Sequence, residues 1–454
     1  MHKRGLIILL FLLISVSALA QISEEAKQID IQTYNLYTGA KWVELIDVGN
    51  KAIDSGIDFY YLRMRLGIAY YNQKNYMSAE GHLKQALEYV PKDPAAYEYL
   101  YWSLVFSGRE REARVLAAEM PEKLRTDIKA IPEKVIKDFY AEGGLMFNGD
   151  YKENPYSGFG TDTLIYGEQK PDKNSNYISL NFNIIPWKRL SIFTGYNNIN
   201  ITSNRKIVSI GNAPENFEVS TIQNEFYFNA GVYTGKGFTF SGVLHYLNVK
   251  VDDVSAAVNT TTGGITYTNT SNTLNDYVGL LSIEKTLNHF KLVLGNSYSS
   301  LNKAKQIQNG LTVVYFPLGN LDFYSVTDLV VHSEKKDGQY YNSSDKYLTR
   351  GIVKQKFGAK IIDRLWFEAF YMFGNAENSH EDNAFVVFNS VNVMNNRFGI
   401  NLISPITPNL QLTLRYQYYK QDVPELIYET ATTYKFIEKS NSFHKIIGSI
   451  KWTF

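Results

Sequence analysis

The side chains of this sequence best suited to chemistry are few and scattered. His332 precedes Ser333 in "VVHSEKKDG", a base beside a hydroxyl nucleophile near a polar loop. On a strand, adjacent residues point to opposite faces, so these two are poorly arranged for proton abstraction. The seven histidines (His2, His82, His245, His289, His332, His380 and His444) include no His-Glu-x-x-His pair of the kind that holds zinc. Cysteine is absent, which excludes thiolate catalysis, disulfides, cysteine-ligated zinc and iron–sulfur clusters. No Walker motif or dinucleotide fingerprint occurs, and the glycines of "YTGKGFTF" serve a tight strand turn. The expectation is a non-enzymatic protein with no catalytic residue, no cofactor and no metal.

What remains is ionic. Lys291, Glu368, Arg415, Lys445 and Lys451 fall on the polar phase of alternating segments. Ionisable side chains are tolerated there inside a membrane barrel, because they meet water or one another. They would either set the selectivity of a solute path or pair into a network that plugs it. The stretch from Val254 to Thr273, "VSAAVNTTTGGITYTNTSNT", reads as an outer contact loop.

The elements that must position these charges are strands of about ten residues with apolar and polar positions alternating. In "NLQLTLRYQYY", Leu410, Leu412, Leu414, Tyr416 and Tyr418 oppose Gln411, Thr413, Arg415 and Gln417. "YISLNFNI", "GFTFSGVLHY" and "RLWFEAFYMF" repeat the pattern. Short turns at Pro186–Arg189, Thr234–Gly237, Leu287–His289, Leu318–Asn320, Ile362–Arg364 and Thr407–Asn409 alternate with longer polar connections. Those longer ones lie near 150–175, 202–218, 251–273, 335–346, 376–393 and 422–442, with one short exception near 303–305. Short inner turns and long outer loops are the habit of bacterial outer-membrane barrels. The pattern predicts an antiparallel transmembrane β-barrel of about fourteen strands over residues 138–454, with both barrel ends in the periplasm. The last strand, "HKIIGSIKWTF", ends with Trp452 and Phe454 on its apolar face. This ending resembles the C-terminal signal by which such barrels are recognised by the assembly machinery that inserts them. Its surroundings would be outer-membrane lipid.

The front of the chain has another period. Residues 24–136 recur at helical spacing. The 34 residues Tyr60 to Asp93 carry Leu66, Gly67, Tyr70, Ala79, Leu83, Ala86 and Pro91 at fixed offsets. They resemble a tetratricopeptide repeat, in which small residues let paired helices approach and large ones fill the gap. Arg63 stands where the family has Trp, and Tyr101 replaces the glycine of a looser second unit. The resemblance implies an α-helical solenoid whose concave face binds a periplasmic protein partner. On this register that face carries Tyr61, Met64, Ile68, Tyr71, Trp102 and Phe106. Packing against a neighbouring helix is the other use of such residues.

Residues 1–20 read as a secretory signal peptide: Lys3 and Arg4, an apolar stretch from Leu6 to Val16, then Ala18-Leu19-Ala20 before Gln21. No later apolar run is long enough for a spanning helix. A net charge of +1 offers nothing to nucleic acid. The whole order (signal, periplasmic repeats, barrel) resembles exopolysaccharide-export porins and YaiO-like barrels, and implies the outer membrane of a Gram-negative bacterium. Two functions follow from the resemblance. In one, the repeats dock a partner in transport, export or envelope assembly. In the other, the barrel is a small-solute porin or uptake channel and the helical domain only braces it.

Overall fold

The computed structural model describes residues 24–130, 134–151, 166–209, 211–258, 264–335, 347–390, 392–429 and 433–454. The signal peptide expected at 1–20, and most of the connections near 150–175 and 335–346, lie outside these. The chain divides into two compact units, one of residues up to 132 with 316–322, the other of 133–315 with 323–454.

Seven helices make the first unit among the described residues: α1 (24–38), α2 (Trp42–Asp54), α3 (Tyr60–Asn72), α4 (Tyr76–Tyr89), α5 (Pro94–Phe106), α6 (Glu110–Glu119) and α7 (Glu122–Asp127). Local chemistry sets the boundaries. Asn75 caps α4 by accepting from the Ser78 N–H at 3.1 Å, and Asp93 caps α5 from Ala96 at 2.7 Å with Pro94 at the first turn. Gly67 is required by packing, since a β-carbon there would lie 2.6 Å from Leu83 Cγ. Leu66, Ala79, Leu83, Ala86, Leu100 and Leu104 are buried between the helices. Tyr101 is buried too, filling the space that its missing glycine would have left.

The second unit is a closed antiparallel barrel. Its fourteen wall strands are β1 (Ile136–Asn148), β3 (Asp172–Trp187), β4 (Leu190–Ser209), β5 (Glu215–Gly235), β6 (Phe238–Val258), β7 (Ile265–Leu287), β8 (Phe290–Leu301), β9 (Ala304–Tyr315), β10 (Phe323–Lys335), β11 (Leu348–Ile362), β12 (Leu365–Phe373), β15 (Val393–Pro405), β16 (Leu410–Tyr428) and β17 (Tyr434–Thr453). Three short strands complete it: β2 (Tyr166–Gln169), β13 (Ser379–Glu381) and β14 (Val386–Phe388). Each wall strand pairs with its sequence neighbours, and β1 pairs with β17 from Asp138 opposite Thr453 to Asn148 opposite Phe443, which closes the ring. Closure leaves no free wall edge, the condition for strands to stand in lipid.

The wall is apolar outside and polar inside. Leu244, Leu281, Leu294 and Leu414 are each more than half exposed on its outer face. Asn181, Asn197, Glu225, His245 and Glu334, on the inner face, are almost fully buried. This is the arrangement of an outer-membrane-type barrel. The strand ends correct the loops expected at 202–218, 251–273 and 422–442. Much of each is strand, because β4, β6, β7, β16 and β17 continue far past the apolar band. Beyond lipid both faces meet water, so the alternation fades while the backbone ladder continues.

Candidate functional site

The site lies inside the barrel, and the residues that build it come from the connection between β12 and β15. "AENSHEDNAFVVFNS" was expected outside the barrel as a polar loop. Instead it forms the hairpin β13–β14 and packs against the inner faces of the wall. Phe385 meets Phe193 of β4 and Tyr227 of β5 edge-on, at ring distances of 5.5 and 5.1 Å. His380 Nε2 lies 2.6 Å from Ser297 Oγ of β8, and Gln308 of β9 donates to the His380 carbonyl at 2.9 Å. Gln308 Nε2 also faces His380 Nδ1, which puts the ring proton on Nε2. His380 therefore donates to Ser297 and is not placed to act as its base.

Charge fixes the hairpin's other side. Glu381 accepts from Lys354 of β11 at 2.9 Å and from Arg397 of β15 at 2.5 Å. Lys354 also reaches Asp382 at 3.4 Å and Asp328 of β10 at 3.3 Å. Arg350 of β11 holds Glu377 and Glu334 at 3.6 and 3.2 Å, and Asn378 donates to Glu334 at 2.6 Å. Each such pair sits where desolvation is costly, so removing one partner leaves an uncompensated charge.

The tip is conformationally strained. Asp382, Asn383 and Ala384 all adopt positive φ (50°, 55° and 59°), which Asp and Asn tolerate better than Ala. Such a turn persists only where its surroundings over-determine it. Here Tyr227 Oη donates to the Asn383 carbonyl at 2.9 Å, and His245 Nδ1 donates to that of Ala384 at 2.7 Å. The other nitrogen of His245 lies 3.2 Å from the Glu225 carboxylate. Both ring nitrogens thus face oxygen atoms.

A cavity of about 1500 Å³ remains beside the hairpin. Glu142, Arg415 and Lys445 line it on β1, β16 and β17, and on β4–β6 Arg205, Glu225 and Asp253 alternate with Ile199 and Val251, facing Phe385 and Phe388 of the hairpin. The short strand β2 pairs with β4 on the edge that β3 vacates and with β16 on the edge that β15 vacates. It therefore ties together two wall strands that are not neighbours in the ring.

The five charges anticipated from alternation take different places. Arg415 pairs with Glu142 at 2.8 Å and Tyr140 Oη at 2.6 Å. Glu368 accepts from Tyr324 and Asn401, each at 2.5 Å, with Lys356 at 3.5 Å. Lys445 stands over the Tyr177 ring at 5.2 Å. Lys291 and Lys451 do not line the cavity; they meet Glu284 at 3.0 Å and Asp138 at 3.8 Å. His332 is buried against Gln308 while Ser333 bonds Thr349 on the other face, so the two diverge. Trp452 and Phe454 are exposed on the outer wall.

In the helical unit the anticipated groove also divides. Met64 and Ile68 are buried in the core among Leu83, Leu100 and Leu104, because α3 packs that face against its neighbours. Tyr61 and Phe106 are exposed, and Trp102 stacks on Phe106 at 5.6 Å. Tyr71 packs edge-on against Tyr76 and Tyr99. Sequence reasoning missed Lys354, Arg397, Arg350 and Glu381. One signal was available: Phe385-Val386-Val387-Phe388 is an apolar run that a loop in water has no use for.

No protein-family model and no curated protein matches the chain. Solved structures similar to it are barrels. The Pseudomonas putida toluene transporter TodX is 9% identical, with 70% of this chain and 90% of that one covered and a TM-score of 0.40. A FadL homologue of Pseudomonas aeruginosa is 8% identical over 70% and 90%, at 0.40. A bacterial polysaccharide outer membrane secretin is 9% identical over 71% and 100%, at 0.35.

Proposed function

We propose that this protein is a transport channel of the bacterial outer membrane, closed in its resting state by the hairpin β13–β14. The observation that carries this reading is Glu381, held between Lys354 and Arg397 inside the lumen beside a cavity of about 1500 Å³. A barrel that served only as an anchor would gain nothing from a chamber whose lining intersperses charged and apolar side chains. An open porin would not fill its lumen. The paired lumen charges latch the hairpin, and a solute passes when the latch yields.

Planar-bilayer recording tests this. The intact channel is expected to be closed for most of the record. Glu381→Gln, which leaves Lys354 and Arg397 without their shared carboxylate, is expected to raise open probability at least tenfold. Removal of residues 377–389 is expected to leave a steady open pore. A pore-free record from all three proteins, with insertion verified, removes the channel reading.

The helical unit, in this proposal, lies in the periplasm and docks a protein partner through exposed Phe106 and Tyr61, with half-buried Trp102 stacked beneath Phe106. Exposed aromatic anchors carry much of the energy of such contacts. Trp102→Ala with Phe106→Ala should abolish partner co-purification from membranes and leave the barrel inserted. Undiminished co-purification would leave the unit the role of a brace.

A further inference from the structure

The outer face of the wall carries a second ordered feature that the channel does not use. On five consecutive strands, asparagines stand opposite one another: Asn176 faces Asn200, Asn198 faces Asn224, Asn224 faces Asn248, and Asn248 faces Asn275. Their amides are linked. Asn200 Nδ2 donates to Asn176 at 2.9 Å and to Asn198 at 2.8 Å. Asn198 donates to Asn224 at 2.9 Å, and Asn248 to Asn275 at 2.9 Å. Tyr196 and Tyr246 add their hydroxyls to Asn224 and Asn275, both at 2.6 Å.

Position says what this ladder is for. Two residues toward the barrel centre on each strand, the outward side chains are Ile178, Tyr196, Phe226, Tyr246 and Tyr277, all exposed. The ladder thus begins where the apolar wall ends, because an amide in hydrocarbon without partners costs several kcal/mol, of order 2–7. Beyond it β5, β6 and β7 continue with Ile222, Ser220, Lys250, Asp252, Thr273 and Ser271, where Asp252 accepts from Ser271 at 2.6 Å and from Lys250 at 3.2 Å. Within the ladder Asn176, Asn224 and Asn275 only accept, so the N–H donors of these amides are not spent on protein.

The opposite boundary of the same wall is chemically different. There the turns carry Lys188, Arg189 and Lys236, and Lys285 lies over the Phe238 ring at 4.0 Å. Cations suit a layer of phospholipid phosphates. The ladder's asparagines are uncharged, and Lys250 beside them is neutralised by Asp252 at 3.2 Å. The ladder offers neutral donors and acceptors beside phenol rings, a surface matched to hydroxyl groups and not to phosphate.

We infer that the Asn176–Asn275 ladder binds the saccharide headgroups of the glycolipid in the outer leaflet. This rests on the membrane reading of the barrel but not on the channel being gated. The apolar wall below the ladder already meets that lipid's acyl chains, so the ladder continues an existing interface onto its sugars. The extended β5–β7 sheet above gives a saccharide layer a flank to lie against.

The test uses the full-length protein reconstituted in vesicles of phospholipid alone, with lipopolysaccharide bearing its core sugars, or with phosphatidic acid, a phosphorylated lipid without sugar. Lipid retained through detergent exchange is quantified. Sugar-bearing glycolipid is expected to be retained over phospholipid, and Asn198→Ala with Asn224→Ala and Asn248→Ala is expected to lower that retention roughly fivefold per lost net hydrogen bond. Lys236→Ala with Lys285→Ala is expected to leave it unchanged. If the alanine variant does not fold, Leu at the three positions keeps side-chain volume while removing the amides. Equal retention by wild type and amide-free variants overturns the inference, as does equal retention of phosphatidic acid. Resistance of the wild type to carbonate extraction is scored separately, so a failure to insert counts against the membrane reading and not against the ladder.

Discussion

The two units solve one problem in opposite ways. The helical unit turns Leu66, Leu83 and Leu100 inward and shows charge to solvent. The barrel turns Leu244, Leu281 and Leu294 outward, buries Glu225, His245 and Glu334 against their partners and leaves Glu381 half-buried between its own. Burial is driven in both cases by removing apolar surface from water. In the barrel lipid does the covering, so the interior is free to be polar, and a polar interior can hold a latch made of ion pairs. The helical unit also keeps a small buried ion cluster, in which Arg109 pairs with Glu112 at 2.6 Å and with Glu80, but its core is otherwise apolar.

Three changes sharpen this contrast. The largest expected effect is Leu83→Ala, which opens a cavity opposite Gly67 and should destabilise the helical unit by about 4–5 kcal/mol. Circular dichroism at the helical band would fall at lower temperature while the barrel's heat-modifiable gel shift is unchanged. If both shift together, the units do not have separate cores.

A paired substitution separates water from lipid as the surroundings of an exposed side chain. Leu281 of the barrel and Val43 of α2 are similarly exposed, at 73% and 66%. Leu281→Arg should cost roughly 2–4 kcal/mol, as a charge facing lipid does. Val43→Arg should stay within about 0.5 kcal/mol. Equal costs in urea titrations would mean the two surfaces see the same solvent.

The smallest effect is in pH. Burial, and then the neighbouring Arg63 guanidinium 3.2 Å away, push the His82 imidazole down to about 4. The folded unit keeps this ring neutral, whereas in the unfolded chain it protonates near 6.5. Between those values the unfolded state binds the extra proton, so stability falls as pH drops, by at most about 3 kcal/mol. His82→Gln should flatten the melting temperature of the helical signal across that window. A profile that keeps its slope assigns the effect to another group.

Much of this architecture was legible residue by residue. The six short turns are where the pattern put them, the ring has fourteen strands, and Arg415, Glu368 and Lys445 face the lumen. Period two tells which side of a strand meets lipid without knowledge of any other strand. The partner groove was less legible. Helical spacing places Met64, Ile68 and Tyr71 on one stripe of α3 and Trp102 and Phe106 on one of α5, and only the packing between helices buries Met64 and Ile68 while leaving Phe106 exposed.

The sequence by itself determined the local facts: where strands alternate and turn, which helices pair closely, and the outward face of each wall segment. Each follows from a few adjacent residues and the geometry of their backbone. Only the tertiary structure decided that the connection from β12 to β15 folds inward, that β2 bridges β4 and β16, and that Glu381 lies between Lys354 and Arg397. A polar loop has the same composition whether its water is outside the barrel or within it. Its direction is set by partners from ten strands that come together only when the ring closes.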